Sequence, residues 1–155
     1  TDNCQRVVFA YEARRRGMAV EAAAAVSGQT NLNWMARVMV GYKERWESGL
    51  VATTKRTVRA GVVEHMASWP EGARGMVHIR GHVFNAEIRG GAPVFIEAQR
   101  GYMAGESHFT HGVIFPASIT RQREFAHFKN VKAIVVRTDD LEFAPAATEA
   151  MVRSA

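Results

Sequence analysis

Cysteine is almost absent from this chain of 155 residues, Cys4 being the only one. A single thiol excludes an internal disulfide framework, and it excludes a thiolate-rich zinc site, which draws on several sulfur ligands. Long apolar runs are missing too. No stretch reaches the roughly 18 residues that a membrane-spanning helix requires, and the first residues lack the charged-then-apolar pattern of a signal peptide. No membrane partner is therefore expected. There is no internal repeat, no low-complexity tract and no linker long enough to divide the chain, so one domain spanning 1–155 is the expectation. At 47% hydrophobic residues such a domain can build a real core. The chain does not begin with Met and its first helix starts almost at once, which suggests a domain excised from a longer polypeptide.

The charge balance is modest. A net charge of +5 raises the possibility of a basic module for nucleic acid, and Arg14, Arg15 and Arg16 form the one dense cluster. A solvated helix end that complements the macrodipole accounts for them at least as well as a phosphate patch does. No stacking-aromatic motif of a known nucleic-acid fold accompanies them, so nucleic acid is not the expected partner.

Three helices are expected in the first half. The first covers residues 4–16, with Val7, Val8, Tyr11 and Ala13 among polar neighbours and Gly17 where a helix would stop. The second covers 33–47, where Trp34, Val38, Tyr42 and Trp46 recur every fourth residue as an apolar stripe, better read as core than as a ligand site. The third runs from about Thr57 to Ser68, ahead of Pro70. After Gly75 the texture changes to β-rich runs: MVHIR, GHVFNAEI, PVFIEAQ after an RGGA turn, and VKAIVVRT. The segment 100–128 mixes turn residues with short apolar pieces and has no clear period. APAATEAMVRSA, at 144–155, reads as a closing helix. Helices first and an antiparallel sheet after them give an α+β fold.

Cys4 falls in the first turn of the first helix, behind Thr1, Asp2 and Asn3. Unpaired backbone N–H groups and the positive end of the helix dipole stabilise a thiolate there, as a nucleophile needs. The competing reading is a small buried hydrophobe. Of the histidines at 65, 78, 82, 108, 111 and 127, His82 is the most distinctive, because it starts a strand whose neighbour carries Glu97 and Gln99 within an apolar run. If 89–92 form a four-residue turn, Ile88 faces Pro93, Phe84 faces Glu97 and His82 faces Gln99, so that His82, Glu97 and Gln99 share one face. A metal cluster of His78, His82, His108 and His111 is a weaker rival, since His-x-x-His is common by chance. Neither a metal nor a cofactor is expected.

NCQRVVFAYEARRRG, followed by GHVFN and then by FIEAQRG, resembles the papain-fold toxin domains of bacterial polymorphic toxins, a group described as glutamine deamidases, and the related domains attached to phage minor-capsid-like proteins. The likeness covers about 35 positions in three blocks, with a weaker one at VVRTDDL. It implies a papain-like α+β fold, with N-terminal helices packed on a C-terminal antiparallel sheet. It makes Cys4 the nucleophile, His82 its general base and acid, and Glu97 the group that orients the imidazole, with Gln99 a motif residue beside them. Glu97 stands where the family usually has Asp. The upstream oxyanion glutamine of papain enzymes is lacking, and the backbone N–H groups of Cys4 and Gln5, helped by the Asn3 amide, are the substitutes. Attack of Cys4 on a carboxamide with protonation of the departing nitrogen by His82 would deamidate a glutamine side chain, or cut a peptide bond if that is the substrate. The resemblance further implies a target protein as substrate, a cognate immunity protein as partner, and delivery as part of a larger toxin that acts in the cytoplasm of a target cell. A papain-like shell that only binds a partner is the remaining alternative.

Overall fold

The computed structural model describes residues 4–22, 32–51, 57–79, 82–97, 113–114, 132–145, 147 and 151–153. Helix α1 (Cys4–Arg15) is followed by strand β1 (Val20–Ala22), helices α2 (Leu32–Val38) and α3 (Tyr42–Ser48), strand β2 (Leu50–Val51) and helix α4 (Val58–His65). Strands β3 (Arg74–Ile79), β4 (His82–Arg89), β5 (Ala92–Glu97), β6 (Val113–Ile114), β7 (Ala133–Arg137) and β8 (Met151–Arg153) complete the order. Six strands form an antiparallel sheet in the order β2-β7-β3-β4-β5-β6, while β1 and β8 pair separately. The architecture is α+β.

Strand alternation divides the core into two layers. On one face Met76, Val83, Ile96, Ile134 and Val136 pack against α1, α2 and α3. On the other, Val77, Ile79, Phe84, Ala86, Phe95 and Val135 pack against Val58 and Val62 of α4. Helix α1 is buried on every side, with each residue from Arg6 to Ala13 at 2% exposure or less. An amphipathic surface helix would leave one stripe wet. Here the second covering is α2, through Phe9 against Trp34, together with the β1–β8 ribbon.

The β4–β5 hairpin turns through Gly90 and Gly91, whose φ angles of 62° and 78° are the left-handed pair that a two-residue turn of matching twist demands. Ile88 pairs with Pro93 and Asn85 with Ile96, the register expected from the sequence. The Glu71 carboxylate accepts hydrogen bonds from both glycine N–H groups, at 2.7 and 2.8 Å, and fixes the tip. Thr57 caps α4, its hydroxyl accepting from the Ala60 N–H at 3.1 Å.

Two expectations are corrected. The helix expected over 33–47 is broken: α2 ends at Val38, Met39 bridges Phe143, Val40 donates its N–H to the Glu142 carbonyl, and Gly41 turns at φ 87° before α3 begins. Pairing with the 142–143 backbone outweighs one continuous helix, yet Trp34, Val38 and Tyr42 remain on the core as their spacing implied. In the closing segment, Met151–Arg153 form a strand paired with β1 where a helix was expected. Its helix formers express only a weak preference, and a three-residue β1 would otherwise leave its backbone groups unpaired.

Gly75 in β3 lies under the Trp69 ring, where an added Cβ would meet Trp69 at 2.7 Å and the Val136 carbonyl oxygen at 2.6 Å. Gly75→Ala is expected to destabilise the fold by about 2 kcal/mol through overpacking. Removing the α4 cap with Thr57→Ala should cost about 1 kcal/mol. Urea unfolding of the two variants measures both, and a Gly75→Ala protein as stable as the parent would show that β3 does not carry the ring as described.

Candidate active site

Cys4 is the first residue of α1, in the helix position expected for a nucleophile. Its side chain lies outside the described residues, as do Asn3 and Gln99. Gln5 follows in the first turn, half-buried, and its side-chain oxygen has no hydrogen-bond partner among the described residues. Glu97 closes β5, its backbone paired with Val113; the β4–β5 register carried one position further sets it across from Phe84.

His82 is the first residue of β4 and half-buried, paired across the β3–β4 turn with Ile79. Its ring lies beside Phe84, centroids 5.9 Å apart. Phe84 belongs to the layer under α4. Helix α1 covers the opposite face, where Asn85 donates its side-chain N–H to the Val8 carbonyl at 3.1 Å and Tyr11 donates to Glu87 at 2.8 Å. The helix therefore runs in the same direction as β4 and brings Cys4 and His82 to one end of the fold, with the His82 ring on the face that α1 does not cover.

The α1 face has a histidine of its own. His78 pairs with Val83 in β4 and Ile134 in β7, both on the α1 side of the sheet. The Tyr42 hydroxyl and Nε2 of His78 share a short hydrogen bond, and the edge of Trp46 packs on the ring at 4.4 Å. Burial pushes the imidazole well below its ordinary value and the Tyr42 hydroxyl well above its own, so both are neutral over the physiological range. His78 as a residue is half-buried, which moderates the effect. Sequence reasoning missed this pair, although the tight β3–β4 turn carries the signal: with Ile79 facing His82, His78 must fall on the opposite face from His82. The same alternation separates the two histidines of the metal alternative, and among the described residues no three ligating side chains converge as a metal site requires. His108 and His111 lie outside the described residues.

The other end of the α1 face holds two buried carboxylates. Glu12, 1% exposed, takes Arg74 at 2.8 Å and Arg16 at 2.7 Å, and the Thr138 hydroxyl at 3.3 Å. Glu87, also 1% exposed, takes Arg15 at 2.8 Å, Arg89 at 2.6 Å and Tyr11. Arg14 and Arg16 further donate to the carbonyls of Val20, Thr138 and Leu141. The arginine cluster expected as a solvated helix end is thus tied into the fold. A phosphate patch would need these guanidinium groups directed outward. Burial pushes the Glu87 carboxyl up, but hydrogen bonds from Arg89 and Tyr11 and the charges of Arg89 and Arg15 outweigh it, holding it below the usual carboxylate value.

Stability should therefore fall in two stages on acidification. Burial lowers His78, so the unfolded chain takes up a proton below about 6.5 that the folded protein resists, and stability declines from there; His65 shifts in the same direction but is exposed and adds little. The Glu87 contribution is complete above about 4.3 and is lost as pH drops through its lower folded value. Urea unfolding should give about 1 kcal/mol less at pH 5.5 than at pH 7.5; a flat profile would contradict a buried, neutral His78. Glu87→Gln should cost about 2 kcal/mol at pH 7 and flatten the curve below pH 4.

Comparison of the chain with protein-family models, with curated proteins and with solved structures gives no match. The candidate site therefore rests on the chain's own residues and geometry.

Proposed function

We propose that the chain is a cysteine-dependent amidohydrolase of papain-like arrangement that removes ammonia from a glutamine side chain of a target protein. The observation that carries this reading is the position of Cys4 at the start of a helix buried on every side, level with the histidine-bearing ends of β3 and β4. Backbone N–H groups of the first helical turn favour the thiolate, and a helix clamped between a sheet and further elements holds the sulfur's attachment point still, as acyl transfer needs. On the sequence likeness, His82 is the general base and acid and Glu97 its orienting group. The same likeness assigns Asn3, Gln5 and Gln99 to the site, with the Cys4 and Gln5 N–H groups as the oxyanion donors.

The thiolate attacks the carboxamide carbon, the departing nitrogen takes a proton and leaves as ammonia, and water hydrolyses the thioester to leave a carboxylate. The conversion of glutamine to glutamate adds one negative charge, enough to disable a residue the target needs for catalysis or switching. The same likeness supports a toxin role in the cytoplasm of a target cell, with an immunity protein protecting the producer. A basic nucleic-acid module has less support, since Arg14, Arg15 and Arg16 are tied to internal acceptors.

With purified protein and a candidate target, deamidation should release ammonia and leave the target chain at full length with the small mass gain of one Gln-to-Glu change. Proteolysis would give two fragments and no ammonia. Cys4→Ala should abolish either outcome. A Cys4→Ala protein as toxic as the parent, when expressed in cells that the parent kills, would overturn both hydrolytic readings.

A further inference from the structure

Resting on the cysteine-hydrolase reading, we infer that Asn85 is a positioning residue of the proposed site: its hydrogen bond to the Val8 carbonyl sets the height of α1 along β4, and with it the place of Cys4 relative to His82. Three observations converge on it. The first is the cost of the side chain to the fold. Asn85 is 2% exposed, and its Oδ1 has no hydrogen-bond partner among the described residues. Its cross-strand neighbours are Met76 and Ile96, both fully buried. The partner settles the orientation of the amide, because a carbonyl only accepts and so faces the NH2 group. A buried acceptor left without a donor destabilises by more than an ordinary hydrogen bond stabilises, so an apolar residue would serve stability at least as well at this place.

The second is what the bond adds. Val8 lies inside α1, where helical geometry brings the N–H of Glu12 to its carbonyl. The Asn85 donor therefore rescues no orphaned group. It supplies registry instead. Around it, the α1 face of the sheet consists of Val83, Met76, Ile96, Ile134 and Val136, an apolar surface on which a helix can slide without changing the chemistry of its contacts. Fixing register against such a surface is the best-attested use of a single buried polar residue.

The third is location. Cys4 stands one helical turn before Val8, about 6 Å along the helix, and His82 three residues before Asn85, about 10 Å along the strand. The other polar ties between α1 and the sheet, from Tyr11 and Arg15 to Glu87 and from Arg74 to Glu12, are one to two turns further from the proposed site. Those ties run through glutamate and arginine stems that can follow a small displacement of the helix, whereas a short asparagine cannot. A misplacement of about 1 Å between reacting groups is enough to slow a reaction about a hundredfold. Asn85 thus lowers stability and holds the two proposed groups in place.

Because Cys4 is the sole thiol, its alkylation by iodoacetamide, followed by intact mass across pH, reads the placement, and urea unfolding of the same proteins reads the fold. The parent should react with an apparent pKa well below the value of about 8.5 for a free cysteine. Asn85→Leu should have a urea midpoint equal to or above the parent's, yet move the alkylation profile towards the free-cysteine value and slow the reaction at pH 6.5 by about fivefold or more. His82→Ala should move the profile in the same direction. Adding Asn85→Leu to His82→Ala should change little further, because the two substitutions remove one shared interaction. Leucine is bulkier than asparagine, so Asn85→Val is measured beside it. A lower midpoint in both variants, or failure of both to fold, makes Asn85 a residue of the fold alone and overturns the inference. A parent-like profile in a variant that keeps its stability overturns it too, as does full additivity with His82→Ala. A parent profile already near the free-cysteine value overturns the cysteine-hydrolase reading itself.

Discussion

A helix buried on all sides with charged residues in it must find its counter-charges inside the protein, and the fold is organised around that constraint. An unpaired buried carboxylate would cost about 3–5 kcal/mol, a large fraction of a domain's net stability. Glu12 on α1 meets this demand with Arg16 from the next turn and Arg74 from the first position of β3. Glu87 on β4 meets it with Arg15, Arg89 and the Tyr11 hydroxyl. Each network joins α1 to the sheet at the helix's carboxyl end. Together with the Asn85–Val8 hydrogen bond they fix both the direction and the height of α1 along β4.

The position of the candidate nucleophile follows. With its carboxyl end locked by ion pairs and its middle packed between Trp34, Tyr42 and the sheet, α1 projects its amino end to a defined place on one face. The paired carboxylates gather at the Glu12 and Glu87 end, and the opposite end holds neutral Tyr42, His78 and Trp46 together with Arg6, buried over the Trp34 ring. The closed arginine networks rigidify the part of the fold that does no chemistry in the proposed reaction.

Several features were legible in the sequence for identifiable reasons. The hairpin register followed from Gly90 and Gly91, because two residues at positive φ define a two-residue turn and the alternation of β5 then has no freedom. Helix α1 was legible from its periodic apolar residues and Gly17, and α4 from the stop at Pro70, although it ends at His65 and not at Ser68. The break at Met39–Gly41 was not, since it depends on pairing with Phe143, a residue about a hundred positions away. The closing strand was hidden for a similar reason: Met151–Arg153 carry helical preferences and become a strand only because β1 offers an edge.

For the candidate site, the sequence by itself determined which residue is the sole thiol, that it begins a helix, and that His82 and Glu97 belong to adjacent strands in a fixed register. These are local properties, set by helix-capping chemistry and by the period of a strand. Only the tertiary structure decided which face of the sheet α1 covers, because both faces are apolar and the choice rests on the burial of Glu12 and Glu87 with their arginine partners. That choice gives the α1 face to His78 and the α4 face to His82. It also turns Arg14, Arg15 and Arg16 from an expected solvated cluster into internal ties, since a charge takes the partner that desolvation forces on it and sequence alone does not show which carboxylates are buried.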